Sequence, residues 1–335
     1  MIKFKKCIEF PFDTLFIYNN FMKVVILGKG LMLANIILGA LDAGAEIVGV
    51  FRYESTCNSR FRMVFEDFFK PAPEVTLINS LKLKQIRFKS ANDSRFRKLL
   101  VSWNVDLIIV GTWKERISKQ TFVIPKIATV NVHPSLLPRY RGPNPYLQTI
   151  LHGEKSSGVT LHLMNETYDC GAILKQEKVE ILDADTSKEL REKSVRVARN
   201  LVCEFLQDLN NRILTPVAQD ERYASYYPNI SGNEKMLDFN FQSSVEISRT
   251  IRALHPFLPT YITYKENFFI VNPYSFTILQ DNCDEKSGTI IAKNPEKTSL
   301  TIVCADKKAI RFSDLKLYKA ELSTKKFIQE KVQIV

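Results

Sequence analysis

The sequence predicts an α/β protein, a doubly wound and mostly parallel sheet followed by a small C-terminal β-barrel domain. Three observations carry that expectation. From Met22 the chain runs through an apolar stretch, a glycine turn, a helix and a second apolar stretch, which is a βαβ opening and so a parallel pairing. In the middle, ATVNVHPSLLPRYRG (128–142) ends an apolar strand on polar side chains and a proline-bounded loop. After residue 209 the helical period stops, and short strand-like runs with turn signals take over.

Bulk properties bound the rest. A chain of 335 residues is long enough for two domains with cores of their own, and 45% hydrophobic with 25% charged residues is ordinary globular composition. No apolar run approaches the roughly 20 residues needed to span a bilayer. The formal charge of +11 permits a polyanionic partner such as RNA, although a lysine-rich composition bias produces the same surplus. Cys7, Cys57, Cys170, Cys203, Cys283 and Cys304 contain no CxxC pair, which speaks against a structural zinc or a disulfide framework and suits a reducing cytosol. His133, His152, His162 and His255 make no HxxxH pair, so a metal site finds no support.

Residues 1–21 begin basic, but Glu9, Pro11 and Asp13 interrupt any signal-type core; either they are a short extension or the true start is Met22, where the fold-like pattern begins, and the second is the expectation. Lys23–Leu27 reads as a buried strand, Gly28-Lys29-Gly30 as a tight turn, Leu31–Asp42 as a helix and Ala45–Phe51 as the next strand. The turn is dinucleotide-like yet incomplete: GKGLML lacks the third glycine, and Glu54 follows only loosely at the acidic position, so the turn is structural. Between Tyr53 and Ser90 lie two basic clusters, Arg60-Phe61-Arg62 and Lys82, Lys84, Arg87, Lys89. They read as a solvated face, with a loop touching an anionic acceptor as the other possibility.

A helix over Asp93–Val105 leads to a strand at Asp106–Val110, and the next strand is Ala128–Val132. A helix over Pro145–His152 follows, then strands at Gly158–Met164 and Ala172–Val179 that pair as a hairpin across the Asp169-Cys170-Gly171 turn. A long amphipathic helix spans Ser187–Leu209. The catalytic domain is thus expected over 22–209 and a linker over 210–232, where Asn, Pro, Tyr and Ser are frequent. The C-terminal domain, 233–335, carries a helix at Ser244–Leu254 and short strands near Thr260, Phe268, Gly288, Ser299 and Ala309.

Strand alternation puts Asn131 and His133 on one face. An amide and an imidazole at a strand tip are suited to polarising a carbonyl and moving a proton, though either side chain could serve only to close the strand. At NVHPSLLPRYRG the sequence resembles the formyltransferases that use 10-formyltetrahydrofolate. The resemblance extends to Gly158-Val159-Thr160, to Asp169-Cys170-Gly171 before an apolar strand, and to Arg116-Ile117-Ser118 upstream. LDFNFQSSVEISRTIRALHPF and SGTIIAKN are similar to the linker and C-terminal domain of methionyl-tRNA formyltransferases, so the resemblance runs from Met22 to the C-terminus.

The resemblance implies a formyltransferase fold with an OB-like C-terminal barrel and Asn131, His133 and Asp169 as catalytic residues. The chemistry gives each a task. A primary amine attacks the formyl carbon, Asn131 donates to the oxyanion that forms, His133 handles the proton or is a second oxyanion donor, and Asp169 orients the imidazole or helps transfer the proton, with the division between those two open. By resemblance, Arg116, Ile117, Ser135, Leu136, Leu137, Pro138 and Cys170 flank the 10-formyltetrahydrofolate, with Leu136 and Leu137 as apolar walls and Cys170 a space-filler rather than a nucleophile. No metal is required.

The acceptor is expected to be initiator methionyl-tRNA, for which the full length, the basic surplus and the cluster Lys307, Lys308, Arg311, Lys316, Lys319, Lys325 and Lys326 speak. Two departures keep an amino-sugar nucleotide as the alternative. Pro134 stands where the tRNA-directed members usually have a small residue, and FRYESTCNSRFRMVFEDFF replaces their basic insertion loop.

Overall fold

The computed structural model describes residues 22–53, 71–230, 235–264, 267–294 and 298–317. The expectations for residues 1–21, Glu54, Arg60-Phe61-Arg62, Lys319, Lys325 and Lys326 lie outside the described residues. The chain divides into two compact units, one made of Met1–Tyr146, Lys155–Ile181 and Leu190–Asn229, the other of Leu147–Glu154, Leu182–Glu189 and Ile230–Val335.

In the first unit, β1 (Lys23–Gly28) lies between β2 (Glu46–Arg52) and β4 (Leu107–Gly111), parallel to both. Val24 to Leu27 are fully buried, because helices cover both faces of such a strand and the run is therefore continuously apolar. The short β3 (Gln85–Ile86) edges β2, and β5 (Ala128–His133) runs parallel to β4. Then the direction reverses: β6 (Ser156–Leu163) is antiparallel to β5 and β7 (Ile173–Glu180) to β6. The order is β3-β2-β1-β4-β5-β6-β7, mostly parallel with an antiparallel edge. Helix α1 (Gly30–Asp42) buries Met32, Leu33, Ile36, Ile37 and Ala40 at helical spacing.

The glycine turn before α1 is structural, as GKGLML suggests. The amide of Gly30 donates to Glu74 Oε1 at 3.0 Å, and Glu74 is buried, so a carboxylate of the chain itself takes the helix N-terminus where a dinucleotide fold places phosphate. Glu74 belongs to α2 (Pro73–Ser80), a helix whose short, weakly periodic sequence hides among the mixed residues after Tyr53. In the second basic cluster, the Lys84 ammonium lies 4.3 Å from the centre of the Trp103 ring, a packed cation rather than an open one. Helix α3 (Ser94–Ser102) starts on the Asp93 cap, whose side chain accepts from the Arg95 amide at 2.8 Å. The helices α4 (Lys119–Phe122), α5 (Pro145–Leu151) and α6 (Ser187–Asn210) follow.

Beyond Ile230, the second unit carries α7 (Ser244–Leu254), opened by a capping box between Ser243 and Glu246. Its buried Ile247 and Ile251 face a core with Ile262, Leu300, Ile302, Ile310 and Phe312. One antiparallel sheet joins β10 (Phe276–Asn282), β13 (Lys308–Phe312), β12 (Ser299–Val303) and β11 (Ile290–Asn294) in that order. A second joins β14 (Lys316–Leu317), β9 (Asn267–Ile270) and β8 (Tyr261–Tyr264). The two sheets are consistent with a β-barrel domain. β10 has no counterpart among the expected strands, because FTILQDN lacks the alternation that marks its neighbours. Arg311 and Lys316 are exposed.

Candidate active site

Strand β5 brings Asn131 and His133 to its C-terminal end, and β6 runs back beside it with His162 directly opposite Asn131. The turn between β6 and β7 then returns Asp169 to the same place. Asp169 adopts a left-handed backbone (φ 55°), a conformation that short polar residues tolerate. Two residues on, Gly171 packs so closely that a Cβ there would lie 1.7 Å from the Leu163 carbonyl oxygen. Only glycine lets this turn fold back against β6.

The side chains converge on one carboxylate. Asp169 Oδ1 lies 3.5 Å from His133 Nδ1, 3.4 Å from Asn131 Nδ2 and 3.7 Å from His162 Nε2. Its other oxygen, Oδ2, accepts from the Gly142 amide at 3.0 Å. Burial alone pushes the Asp169 carboxyl up, but His133 and His162 in their protonated form, with the Gly142 N–H, outweigh it and hold the pKa at about 2.

The histidines are fixed by backbone. His162 Nδ1 bonds the Leu163 carbonyl at 2.9 Å, so that nitrogen carries the proton and Nε2 accepts from Asn131 Nδ2 at 3.1 Å. Two acceptors beside Nδ2 set the orientation of the Asn131 amide. His133 Nε2 donates to the Tyr140 carbonyl at 2.9 Å. Burial lowers the His133 pKa, and the nearby Asp169 only partly offsets this. A neutral His133 therefore leaves a lone pair on Nδ1, turned toward an ionised carboxylate. The pair is built to take up one proton between them.

Of the other expected site residues, the structure buries some and leaves others at the surface. Ser135 is fully buried, its hydroxyl donating to the Arg139 carbonyl at 2.8 Å, and Leu137 is buried with its amide on Thr160 Oγ1 at 3.2 Å. Thr160 in turn donates to the Ser135 carbonyl at 2.6 Å, which pins the loop to β6. Leu136 and Pro138 are half-buried, and Leu136 lies over Gly158. Cys170 is a free thiol on the Tyr168 carbonyl, and burial pushes its pKa up, which suits a space-filler. Arg116 donates to the Glu166 carbonyl at 2.6 Å, and Ile117 packs into the core. Both line an open cavity of about 280 Å³ with Ser118, Lys119, Phe122 and Glu166. Its rim at Glu166 lies on the same turn as Asp169.

Sequence reading missed two participants. His162 is legible only once β6 is known to pair with β5 in this register. Gln219 lies within the stretch expected to be a linker. That stretch is bonded to the catalytic unit: Val217 exchanges backbone bonds with Ile173 at 2.8 Å each way, and the amides of Arg141 and Tyr227 bond Ser225 and Arg141 carbonyls at 2.9 and 3.0 Å. Among the described residues, no group of His, Cys, Asp and Glu is arranged to hold a metal ion.

A wound sheet whose strand tip gathers an amide, an imidazole and a carboxylate has the parts of an acyl-group transferase. The comparisons with known proteins make this specific. The profile described as formyl transferase matches residues 22–206, and that described as formyl transferase, C-terminal domain, matches residues 229–331. The chain belongs to the formyl transferase family, as a 10-formyltetrahydrofolate-dependent N-formyltransferase. It is 26% identical over 307 residues to the methionyl-tRNA formyltransferase of Enterococcus faecalis, covering 91% of this chain and 95% of that one. It is 30% identical over 232 residues to that of Thermotoga neapolitana, covering 69% and 72%. Among solved structures, the N-formyltransferase of Helicobacter canadensis, in complex with folinic acid and dTDP-3-aminofucose, has a TM-score of 0.62 at 19% identity over 89% of this chain and all of that one. HypX of Aquifex aeolicus in complex with tetrahydrofolic acid has a TM-score of 0.61 at 16% identity, covering 90% of this chain and 45% of that one. These structural likenesses concern the fold. Among the described residues, no helix is long and apolar enough to cross a membrane.

Proposed function

We propose that this enzyme passes the formyl group to the amino group of initiator methionyl-tRNA in the cytosol, with Asn131, His133 and Asp169 as its catalytic residues. The observation that carries the acceptor is the extent of the likeness: a methionyl-tRNA formyltransferase is matched over 95% of its own length, C-terminal domain included. The formal charge of +11 supports an RNA acceptor.

In the reaction the amine nitrogen attacks the formyl carbon, the bond from that carbon to the folate nitrogen breaks, and a proton passes from the amine to that nitrogen. Tetrahydrofolate and the N-formyl amine result. Negative charge gathers on the formyl oxygen between the two events. Asn131 is the donor for it. One of its N–H bonds is committed to His162 at 3.1 Å, while the other reaches Asp169 Oδ1 at a slack 3.4 Å and is the cheaper to redirect. His133 and Asp169 together take the amine's proton and return it to the leaving nitrogen, the carboxylate stabilising the imidazolium in between.

For the folate, the cavity beside Arg116 has the right chemistry. Ile117 and Phe122 give it apolar walls, while Arg116 and Lys119 offer cations to a carboxylate-bearing tail. Leu136, Pro138 and Cys170 remain partly open at the neighbouring loops, and Ser135 and Leu137 shape that loop from within.

An amino-sugar nucleotide is the second reading, favoured by Pro134 after His133. The test is a formyl-transfer assay offering methionyl-tRNA and a panel of amino-sugar nucleotides to one preparation. Turnover of methionyl-tRNA supports the first reading. Turnover of a sugar nucleotide alone overturns it and leaves the catalytic residues in place.

A further inference from the structure

We propose that Gln219 is a positioning residue for the reaction, a side-chain bracket that holds Asp169 against His133 and Asn131. Its Nε2 donates to the Asp169 carbonyl at 2.8 Å and to the Gly171 carbonyl at 2.7 Å. Its Oε1 accepts from Arg141 Nε at 3.1 Å and from Arg141 Nη2 at 2.7 Å. A glutamine amide has two donors and two acceptor sites, and all four are used here, so its orientation is fixed. Arg141 is buried and held from the other side by both carboxylate oxygens of Glu221, at 2.9 and 2.7 Å. Gly142, the next residue, donates to Asp169 Oδ2. The bracket therefore ties the end of the catalytic loop to the peptide and the side chain of Asp169 at once.

Two features make this a matter of catalysis rather than of anchoring the strap. Backbone bonds at Val217, Ser225 and Tyr227 already attach the segment at both ends, so the Gln219 side chain is not needed to dock it. And the peptide it grips is the one in a left-handed conformation, which places the carboxylate in reach of Asn131 and both imidazoles. Without the bracket the turn relaxes, and the carboxylate leaves the 3.4–3.7 Å range in which it meets those three groups.

The inference rests on formyl transfer itself and holds for either acceptor. The assay uses the full chain with 10-formyltetrahydrofolate and whichever amine the parent enzyme turns over; a parent inactive on every amine would fault the functional reading instead. Gln219→Met keeps the length and loses all four bonds. Gln219→Glu keeps the partner for Arg141 but turns a carboxylate on two carbonyl oxygens. Asp220→Asn, next in the strap and paired only with exposed Arg222, is the control. Both Gln219 variants are expected to lose about 10- to 100-fold in kcat with KM for the formyl donor within about twofold, because a displacement of about 1 Å has that effect. Asp220→Asn should match the parent. A kcat within about twofold of the parent in both variants would overturn the proposal, since bracketing would then make no catalytic difference. So would a loss of folded protein, followed by circular dichroism and melting, that accounts for the lost activity, or equal losses through KM, for these mark a structural part.

Discussion

Replacing Asp169 with asparagine isolates the charge from the shape. The amide is the same size and keeps an oxygen for the Gly142 N–H, now 3.0 Å from Oδ2, while its NH₂ can donate to the bare Nδ1 of a neutral His133. The pocket thus accepts the substitution, but it can no longer stabilise an imidazolium. Losing a positioned acid–base partner removes about 10²- to 10⁴-fold in kcat. The cost to stability follows from the carboxylate's own titration. Held at about 2 against an ordinary 3.8, Asp169 contributes at most about 2 kcal/mol, because part of that depression needs a protonated imidazole beside it, and the retained Gly142 bond returns part. A net loss of about 1–2 kcal/mol lowers the melting temperature by about 2–8 °C for a domain of this size. The sign of the pH dependence is fixed as well. A depressed carboxylate stabilises the fold above its unfolded pKa and loses that contribution as pH falls toward about 2. The gap in melting temperature between parent and Asp169→Asn should therefore be constant above about pH 5 and narrow progressively as the pH falls through about 4 toward about 2. Formyl-transfer kinetics and thermal melts across pH measure both. Near-parent kcat in the variant would refute the catalytic role, and a gap that persists unchanged to low pH would refute the electrostatic account.

Other perturbations bear on neighbouring parts. His162→Phe removes the acceptor that holds the Asn131 amide and should cost about 5- to 30-fold in kcat, the worth of one buried hydrogen bond, with melting temperature as the control. Gly171→Ala forces a Cβ onto the Leu163 carbonyl and should destabilise the first unit by about 3 kcal/mol, read in urea unfolding. Glu74→Ala empties the α1 N-terminus and should cost about 1–3 kcal/mol, while Glu74→Gln, which keeps the acceptor for Gly30, should cost less. If methionyl-tRNA is the acceptor, its KM should rise steeply between about 50 and 200 mM salt while that for the formyl donor moves little.

The parts of the fold that were legible in the sequence are those with a strong period. β1, α1, β2, β5 and α6 lie within a residue or two of where the apolar pattern puts them, because burial on one or both faces writes itself into spacing. α2 and β3 are short, and β10, though seven residues long, has no fully buried position, so none of the three leaves a clear period. The same division runs through the site. Asn131 and His133 share a strand, so alternation alone puts them on one face. His162 enters through a strand register, Asn131 opposite His162, that no local pattern encodes. Gln219 is harder still. It acts through side chain-to-carbonyl bonds from an irregular strap, and an irregular strap rich in Asn, Pro and Tyr reads as a linker.

That strap also explains why the catalytic centre tells little about its acceptor. The bonds that shape the carboxylate, amide and imidazoles come from β5, the loop after it as far as Gly142, β6, the Asp169 turn and Gln219, all within one unit. A centre complete in itself can serve a tRNA or a sugar nucleotide with the same atoms, and discrimination has to come from surfaces that meet the rest of the acceptor. On this argument Asp169→Asn and Gln219→Met should lower turnover by the same factor with every amine the parent accepts. A factor that differed between acceptors would place part of the specificity inside the catalytic centre itself.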